Sequence, residues 1–253
     1  RFHLQGQRPL LLLGGATGMI GDPSGRDDER SLNTGDMVGA WVQALQAQVS
    51  GFLEFEVEND NAAKIVNNLD WTHDLPVIDF LREIGKHFSV NSMIQRDSVK
   101  TRLERSNEGI SYTEFSYMLL QAMDFLRLAQ SENCLLQIGG SDQWGNIVSG
   151  IDLIRRHTGK SAFAFTMPLV TKADGTKFGK SAAGAVWLDP KKTSPYAFYQ
   201  FWLNTADTDV VKFLKLFTFL QQEEIESLGI QTRDHPEHRQ AHKKLAQEVT
   251  TVV

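Results

Sequence analysis

Apolar residues along this chain come in two rhythms: short continuous runs closed by glycine, and longer stripes at helical spacing. Leu10-Leu11-Leu12-Leu13, set between Pro9 and Gly14-Gly15, predicts a short buried strand running into a glycine-rich turn. Four residues carry no periodicity of their own, so the flanking proline and glycines decide for strand. Over residues 34–52, Val38, Trp41, Val42, Leu45, Val49 and Phe52 recur at helical spacing, with Asn33 or Thr34 as the cap, and Phe55 with Val57 reads as a second strand. Residues 77–85 and 98–104 predict helix, and a long helix follows over 114–127 with Thr113 as its cap. Leu135-Leu136-Gln137-Ile138 predicts a strand ended by Gly139-Gly140, with a helix over 147–156 after it. Strand, glycine turn and helix in alternation predict a parallel α/β domain, whose ligands bind beyond the carboxyl ends of the strands.

Past Pro168 the pattern changes. Residues 171–181 form a polar loop whose turn formers are Asp174, Gly175 and Gly179, and 185–188 a brief strand. Ser194-Pro195 places a cap before a proline in the first helical turn, opening a helix over 196–203. Further helices are predicted over 208–220, 222–227 and from 236 onward. The division expected is an α/β body over 1–167, a loop and linker over 168–193, and a helical domain from 194 to 253. Phe165, Trp187, Phe198, Phe201, Trp202, Phe213, Phe217 and Phe219 read as core of the distal half, and His87 as structural. A chain that opens just before a buried strand and closes inside a helix is expected to be a segment of something longer.

Composition narrows the class without naming it. The 253 residues are 41% hydrophobic and 23% charged, enough apolar material for a sizeable core. The 26 basic and 31 acidic side chains give a formal charge of -5, so any RNA contact must use a local patch rather than a global basic field. The lone cysteine, Cys134, favours a reducing, cytoplasmic setting, and no apolar run of membrane-spanning length occurs.

Several segments carry candidate chemistry. Gly14-Gly15-Ala16-Thr17-Gly18-Met19-Ile20-Gly21-Asp22-Pro23-Ser24-Gly25 is neither a dinucleotide fingerprint nor a P-loop. Its small residues let backbone approach a ligand, and Asp22 suits an ammonium or a ribose hydroxyl; the alternative is a structural turn. Arg26 and Arg30 follow in a mixed-charge loop that either gathers phosphates or is solvated surface. Tyr117, Gln121 and Asp124, four and then three apart, share one helix face among apolar neighbours. Leaving such groups buried without partners costs about 1–3 kcal/mol each, so they form either a polar pocket or a satisfied internal network. Gly139-Gly140-Ser141-Asp142-Gln143 sets Asp142 and Gln143 at a strand end, as ligand groups or as a polar cap. Lys177 and Lys180, three apart beside Gly179 and Ser181, suit moving phosphates or a basic surface turn. Arg155 and Arg156, with His157 and Lys160, meet an RNA backbone or simply close a helix. No His/Cys/Asp spacing suggests zinc, so no metal ligands are assigned.

In this order, Gly14 to Gly25, Gly85-Lys86-His87-Phe88-Ser89-Val90-Asn91, the segments 113–124 and 138–146, and the segment 168–181 resemble the catalytic region of bacterial-type tyrosyl-tRNA synthetases over essentially the whole length. The resemblance implies a class I, Rossmann-like parallel sheet followed by a mainly helical anticodon-side domain, with the family's first strand and helix and its His-Ile-Gly-His-like element upstream of Arg1. It implies ATP-dependent activation of L-tyrosine and transfer to tRNA(Tyr). Asp22, Tyr117 and Gln121 would hold the tyrosine amino group, Asp124 the phenolic hydroxyl, and Gln143 the carboxylate and α-phosphate. Thr17, Gly140, Asp142, Gln143 and Lys180 would lie on the nucleotide side. Lys177, Lys180 and Ser181, helped by Arg30 and Arg26, would stabilise the leaving pyrophosphate. ATP with Mg2+ is implied as substrate, with no structural metal, and a cytoplasmic homodimer with Tyr112 and Phe115 near its interface. Without the upstream elements the chain is expected to activate tyrosine poorly and to bind tRNA weakly. The readings that compete are a tryptophan enzyme of the same class, a degenerate paralogue that binds RNA or protein, and a generic nucleotide-binding domain.

Overall fold

The computed structural model describes residues 1–22, 32–55, 59–104, 109–173, 175, 178–181 and 184–253, with the side chains of 97, 98, 101, 102, 180, 181 and 184 not included. The chain divides into two compact units, Arg1–Ala47 with Leu53–Leu169, and Gln48–Phe52 with Val170–Val253.

In the first unit β1 (Leu10–Leu13) runs through a single turn, α1 (Thr17–Ile20), and later α2 (Gly35–Val49), to a parallel partner β2 (Lys64–Asn67). Short helices follow: α3 (Leu69–Thr72), α4 (Val77–Asp79) continuing into a π turn over Phe80–Ile84, α5 (Val90–Ile94) and α6 (Asp97–Glu104). Then come the long α7 (Tyr112–Ser131), β3 (Leu136–Gly140), α8 (Trp144–Thr158) and β4 (Phe163–Met167), with β4 parallel to β3. These are the βαβ crossovers that the alternation predicted.

The core of this unit is the seam between α7 and α8, where Ala122, Met123, Phe125, Leu126, Ile147, Leu153 and Ile154 are buried together. Each large apolar side chain sealed there contributes on the order of 1.5–3 kcal/mol. Close approach of the helices requires Gly150, because a Cβ at that position would come within 2.8 Å of the Phe125 ring.

Helix α7 begins earlier than the sequence suggests. Ser111, not Thr113, is the cap; its hydroxyl accepts from the Glu114 N–H at 3.2 Å, and Ser111-x-x-Glu114 is the spacing of a capping box. Threonine lost because Ser111 already holds the extended backbone a cap requires. Ser111→Ala is expected to cost about 1 kcal/mol, read as a lowered urea midpoint at unchanged slope.

Other expectations are corrected. The second strand is Lys64–Asn67, not 55–57; Phe55 is in no strand and Val57 lies outside the described residues. The apolar pair Ile65-Val66 between Lys64 and Asn67 is too short a run to be heard beside the Phe-x-Val pair. Along α2 only Val38 is buried, while Trp41 and Leu45 are about half exposed at 47% and 48%. Phe165 belongs to β4 of the first unit, where Leu136, Ile138, Phe163, Phe165 and Met167 form an exposed sheet face, with Phe2 edge-on to Phe165 at 6.0 Å.

The second unit holds a small antiparallel pair, β5 (Lys180–Ser181) with β6 (Gly184–Ala185), then α9 (Pro195–Leu203), α10 (Asp207–Phe217), α11 (Gln222–Asp234) and α12 (Gln240–Val252). Ser194 caps α9, accepting from the Ala197 N–H at 3.2 Å, with Pro195 in the first turn as expected. Helix α11 runs past the predicted stop at 227. Phe198, Trp202, Val210, Phe213, Leu214 and Leu245 fill this unit's core. Trp187 and Phe219, expected inside, are exposed; the Lys192 ammonium lies 4.5 Å over the Trp187 ring, a cation–π contact that suits a surface indole. Among the described residues no helix is long and apolar enough to cross a membrane.

Candidate functional site

The end of β1 and the end of β2 are tied together by asparagine side chains. The Gly15 N–H donates to Asn67 Oδ1 at 3.1 Å and the Ala16 N–H to Asn68 Oδ1 at 2.8 Å, so side chains from another strand satisfy the open donors at the start of α1. The approach is so close that a Cβ at Gly15 would run into the Asn67 amide. Asn68, 1% exposed, uses both donors of its amide, one to Thr17 Oγ1 at 2.9 Å and one to Asp124 Oδ2 at 2.9 Å. The indole of Trp71 donates to the other oxygen, Asp124 Oδ1, at 2.8 Å.

Asp124 is 2% exposed on α7. Burial pushes its carboxyl up to about 6, and the bonds from Asn68 and Trp71 pull only part of the way back. Each oxygen keeps lone-pair capacity for one more donor. Around it lies a cavity of about 220 Å³ lined by Tyr117, Gln121, Asp124, Thr17 and Asn68, with Leu12, Gly14 and Gln137 completing the wall. The shared helix face predicted for Tyr117, Gln121 and Asp124 therefore opens on one space. Gln137 is one of the lining residues, and its Oε1 is buried with no hydrogen-bond partner among the described residues. The arrangement can hold a small molecule that offers a hydroxyl or ammonium donor at one end and an apolar body beside Leu12.

A second polar cluster joins the loops that follow β1 and β3. Gln143 Nε2 donates to Asp22 Oδ2 at 2.6 Å and to Asp142 Oδ2 at 3.1 Å, while Asn146 Nδ2 donates to Gln143 Oε1 at 3.4 Å. The 3-10 turn Ser141–Gln143 that opens α8 directly after Gly140 sets Asp142 and Gln143 at the strand end. Asp22, Asp142, Gln143 and Gly140 do not line the Asp124 cavity; the two carboxylates held by Gln143 make a separate polar cluster, of a chemistry suited to ammonium or sugar hydroxyls.

Of the basic candidates, Arg26, Arg30 and Lys177 lie outside the described residues, and Lys180 and Ser181 are described by backbone alone, in β5. The frame of their loop is visible within the second unit. Lys212 Nζ donates to Thr171 O at 2.8 Å, and the buried Asp209 carboxylate accepts from the Ala173 N–H at 3.1 Å. On the far side Phe178 packs against Phe213 at 4.9 Å, Phe217 at 5.2 Å, Trp202 at 5.3 Å and Phe201 at 5.6 Å. Arg155 and Arg156 are exposed near the end of α8; one pairs with Asp152 at 3.2 Å and the other donates to His87 O at 2.9 Å.

The sequence reading missed Asn67, Asn68, Trp71, Gln137 and the anchoring of Phe178. Asn67-Asn68 following Ile65-Val66 is a polar pair at a strand end, the signal that marked Asp142 and Gln143. It went unused because the strand was placed too early.

A family model described as tRNA synthetases class I (W and Y) matches residues 1–253. The chain belongs to this family. Among its synthetase relatives, it is 59% identical over 254 residues to "Tyrosine--tRNA ligase" of Geobacillus stearothermophilus and 58% identical over 255 residues to "Tyrosine--tRNA ligase 1" of Bacillus subtilis. In both cases all of this chain is covered and 60% of the relative, so the chain spans about three fifths of the length of these curated synthetases. Its fold is similar to the crystal structure of a C-terminally truncated mitochondrial tyrosyl-tRNA synthetase from Aspergillus nidulans, at a TM-score of 0.85 and 30% identity, covering 99% of this chain and 73% of that one. The class I synthetase architecture, a Rossmann-like parallel α/β region followed by helices, is thereby established for the chain.

Proposed function

We propose that this chain is the catalytic part of a tyrosine-tRNA ligase, which activates L-tyrosine with ATP and transfers it to tRNA(Tyr). The observation that carries the reading is Asp124, a carboxylate sealed to 2% exposure yet lining a cavity and retaining acceptor capacity. The phenolic hydroxyl of tyrosine supplies the donor that this site calls for. An analogue without the hydroxyl leaves the carboxylate unpaired, and the rejection of phenylalanine by tyrosine enzymes is the standing example of that effect.

In this reading Tyr117, Gln121 and Asp22 hold the ammonium, and Gln143 guides the substrate carboxylate toward the α-phosphorus. A carboxylate oxygen forms its bond to that phosphorus as the bond to pyrophosphate breaks. The nucleophile is already anionic, so no strong base is required, and alignment with charge stabilisation carries the step. Thr17, Gly140 and Asp142 serve the nucleotide. Lys177, Lys180 and Ser181, assisted by Arg30 and Arg26, stabilise the departing pyrophosphate, with Mg2+ entering bound to ATP. The frame around Phe178 and Asp209 supports this role by anchoring the chain at Ala173 and Phe178, before and after Lys177. A cytoplasmic homodimer, with exposed Tyr112 and its neighbour Phe115 at the interface, and tRNA contacts through Arg155 and Arg156 complete the proposal.

Calorimetric titration with tyrosine, phenylalanine and tryptophan tests the pocket. Tyrosine is expected to give a saturating isotherm, and phenylalanine and tryptophan none over the same range. Equal binding of tryptophan removes the assignment, and equal binding of phenylalanine removes the role of Asp124.

A further inference from the structure

The corner between α11 and α12 gathers three metal-ligating side chains that the proposed reaction does not use. His235 follows the last residue of α11, Pro236–His238 makes one 3-10 turn, and Arg239, in the left-handed region at φ 50°, redirects the chain into α12. Backbone bonds hold the corner: His235 N–H to Gln231 O at 2.8 Å, His238 N–H to His235 O at 3.1 Å, and Arg239 N–H to Pro236 O at 3.1 Å. The Arg239 guanidinium adds a bond to Leu203 O at 2.5 Å, on the end of α9.

On this fixed turn the two imidazoles stack, with centroids 5.3 Å apart and planes at 22°. Glu237 Oε1 lies 3.5 Å from His235 Nδ1 and 3.6 Å from His238 Nε2, and all three ligand atoms fall within 4.8 Å of one another. A tetrahedral ion with ligand bonds of about 2.0–2.2 Å needs ligand atoms roughly 3.3–3.6 Å apart. Two of the three edges have that length before any ion arrives, and a modest side-chain rotation closes the third.

We propose that His235, Glu237 and His238 form a zinc-class transition-metal site that pins the end of α11 to the start of α12. Two imidazoles and one carboxylate select zinc, nickel or copper over magnesium or calcium, which prefer oxygen ligands throughout. Three protein ligands leave a fourth position for water. The sequence showed no zinc pattern because His-x-Glu-His converges only when a proline-led 3-10 turn folds it.

Calorimetry with Zn2+ alone, on the whole chain and on His235→Ala, His238→Ala, the double variant and Glu237→Gln, tests the site. The unchanged histidines elsewhere in each variant serve as internal control. Each histidine variant is expected to weaken binding at least tenfold, and the double variant to lose one equivalent. Excess Mg2+ should not displace the ion, and Zn2+ should raise the thermal midpoint of the parent chain but not of the double variant. All three positions are on exposed surface, so circular dichroism is expected to report unchanged folds. Zinc uptake of equal stoichiometry and affinity in the double variant overturns the proposal, as does the absence of uptake by the parent chain.

Discussion

Asp124→Asn is expected to abolish measurable tyrosine binding while leaving the chain at least as stable as before at neutral pH. Two opposing terms set the second half of this expectation. With its carboxyl raised from 3.8 to about 6 by burial, Asp124 costs the folded state about 3 kcal/mol wherever it is ionised. Asparagine removes that cost but turns an NH2 toward one of the two donors, Asn68 or Trp71, which returns about 1–3 kcal/mol. The net is neutral to mildly stabilising, and function and stability part company at one residue.

The same carboxyl predicts a pH signature with a definite sign. Because its folded pKa lies above its unfolded one, the folded state takes up the proton first as pH falls. The penalty is complete above about pH 6 and absent below about pH 4, so stability contributed by this group rises as the solution is acidified through that window. Urea melts of parent and Asp124→Asn at pH 7.5 and pH 4 should show their difference change by about 2.5 kcal/mol. A constant difference means that Asp124 titrates normally. Tyrosine affinity should move the other way, weakening as pH falls through 6, because the ionised carboxylate is the stronger acceptor for a phenol.

Phe178→Ala is the second substitution with a large expected effect. Its ring meets four aromatic side chains at 4.9 to 5.6 Å, so truncation opens a hole in the core of the second unit at a cost of about 3 kcal/mol, the lower end for a ring that is not fully buried. Limited proteolysis should then cut within 171–181 many times faster, while tyrosine binding in the first unit is retained. Phe178→Leu, which refills most of the volume, should restore most of the protection; if it does not, a lost ring contact rather than lost volume is responsible.

How far the sequence foretold this molecule depended on the length of the signal. The twenty-residue α7, with its repeated apolar face, was placed within a few residues, and so were the β3-to-α8 segment and α9 behind its Ser-Pro start. Strand β2 was misplaced because four residues of Lys-Ile-Val-Asn carry almost no pattern, and its neighbour across the sheet, not its own composition, makes it a strand. The pocket face on α7 was legible because three polar residues at helical spacing amid apolar ones demand an explanation. Its support was not: Asn68 and Trp71 reach Asp124 from 56 and 53 residues away, and nothing local announces a long-range partner. Exposure of Trp187 and Phe219 was likewise unreadable, since an aromatic side chain carries the same letter inside and out.

With both amide donors spent on Thr17 and Asp124 and its oxygen on the Ala16 N–H, Asn68 has no hydrogen left to lend when a ligand arrives. The acceptor end of the cavity is therefore a finished mould. A group that enters this end must bring its own hydrogen to Asp124, because Asn68 cannot supply one.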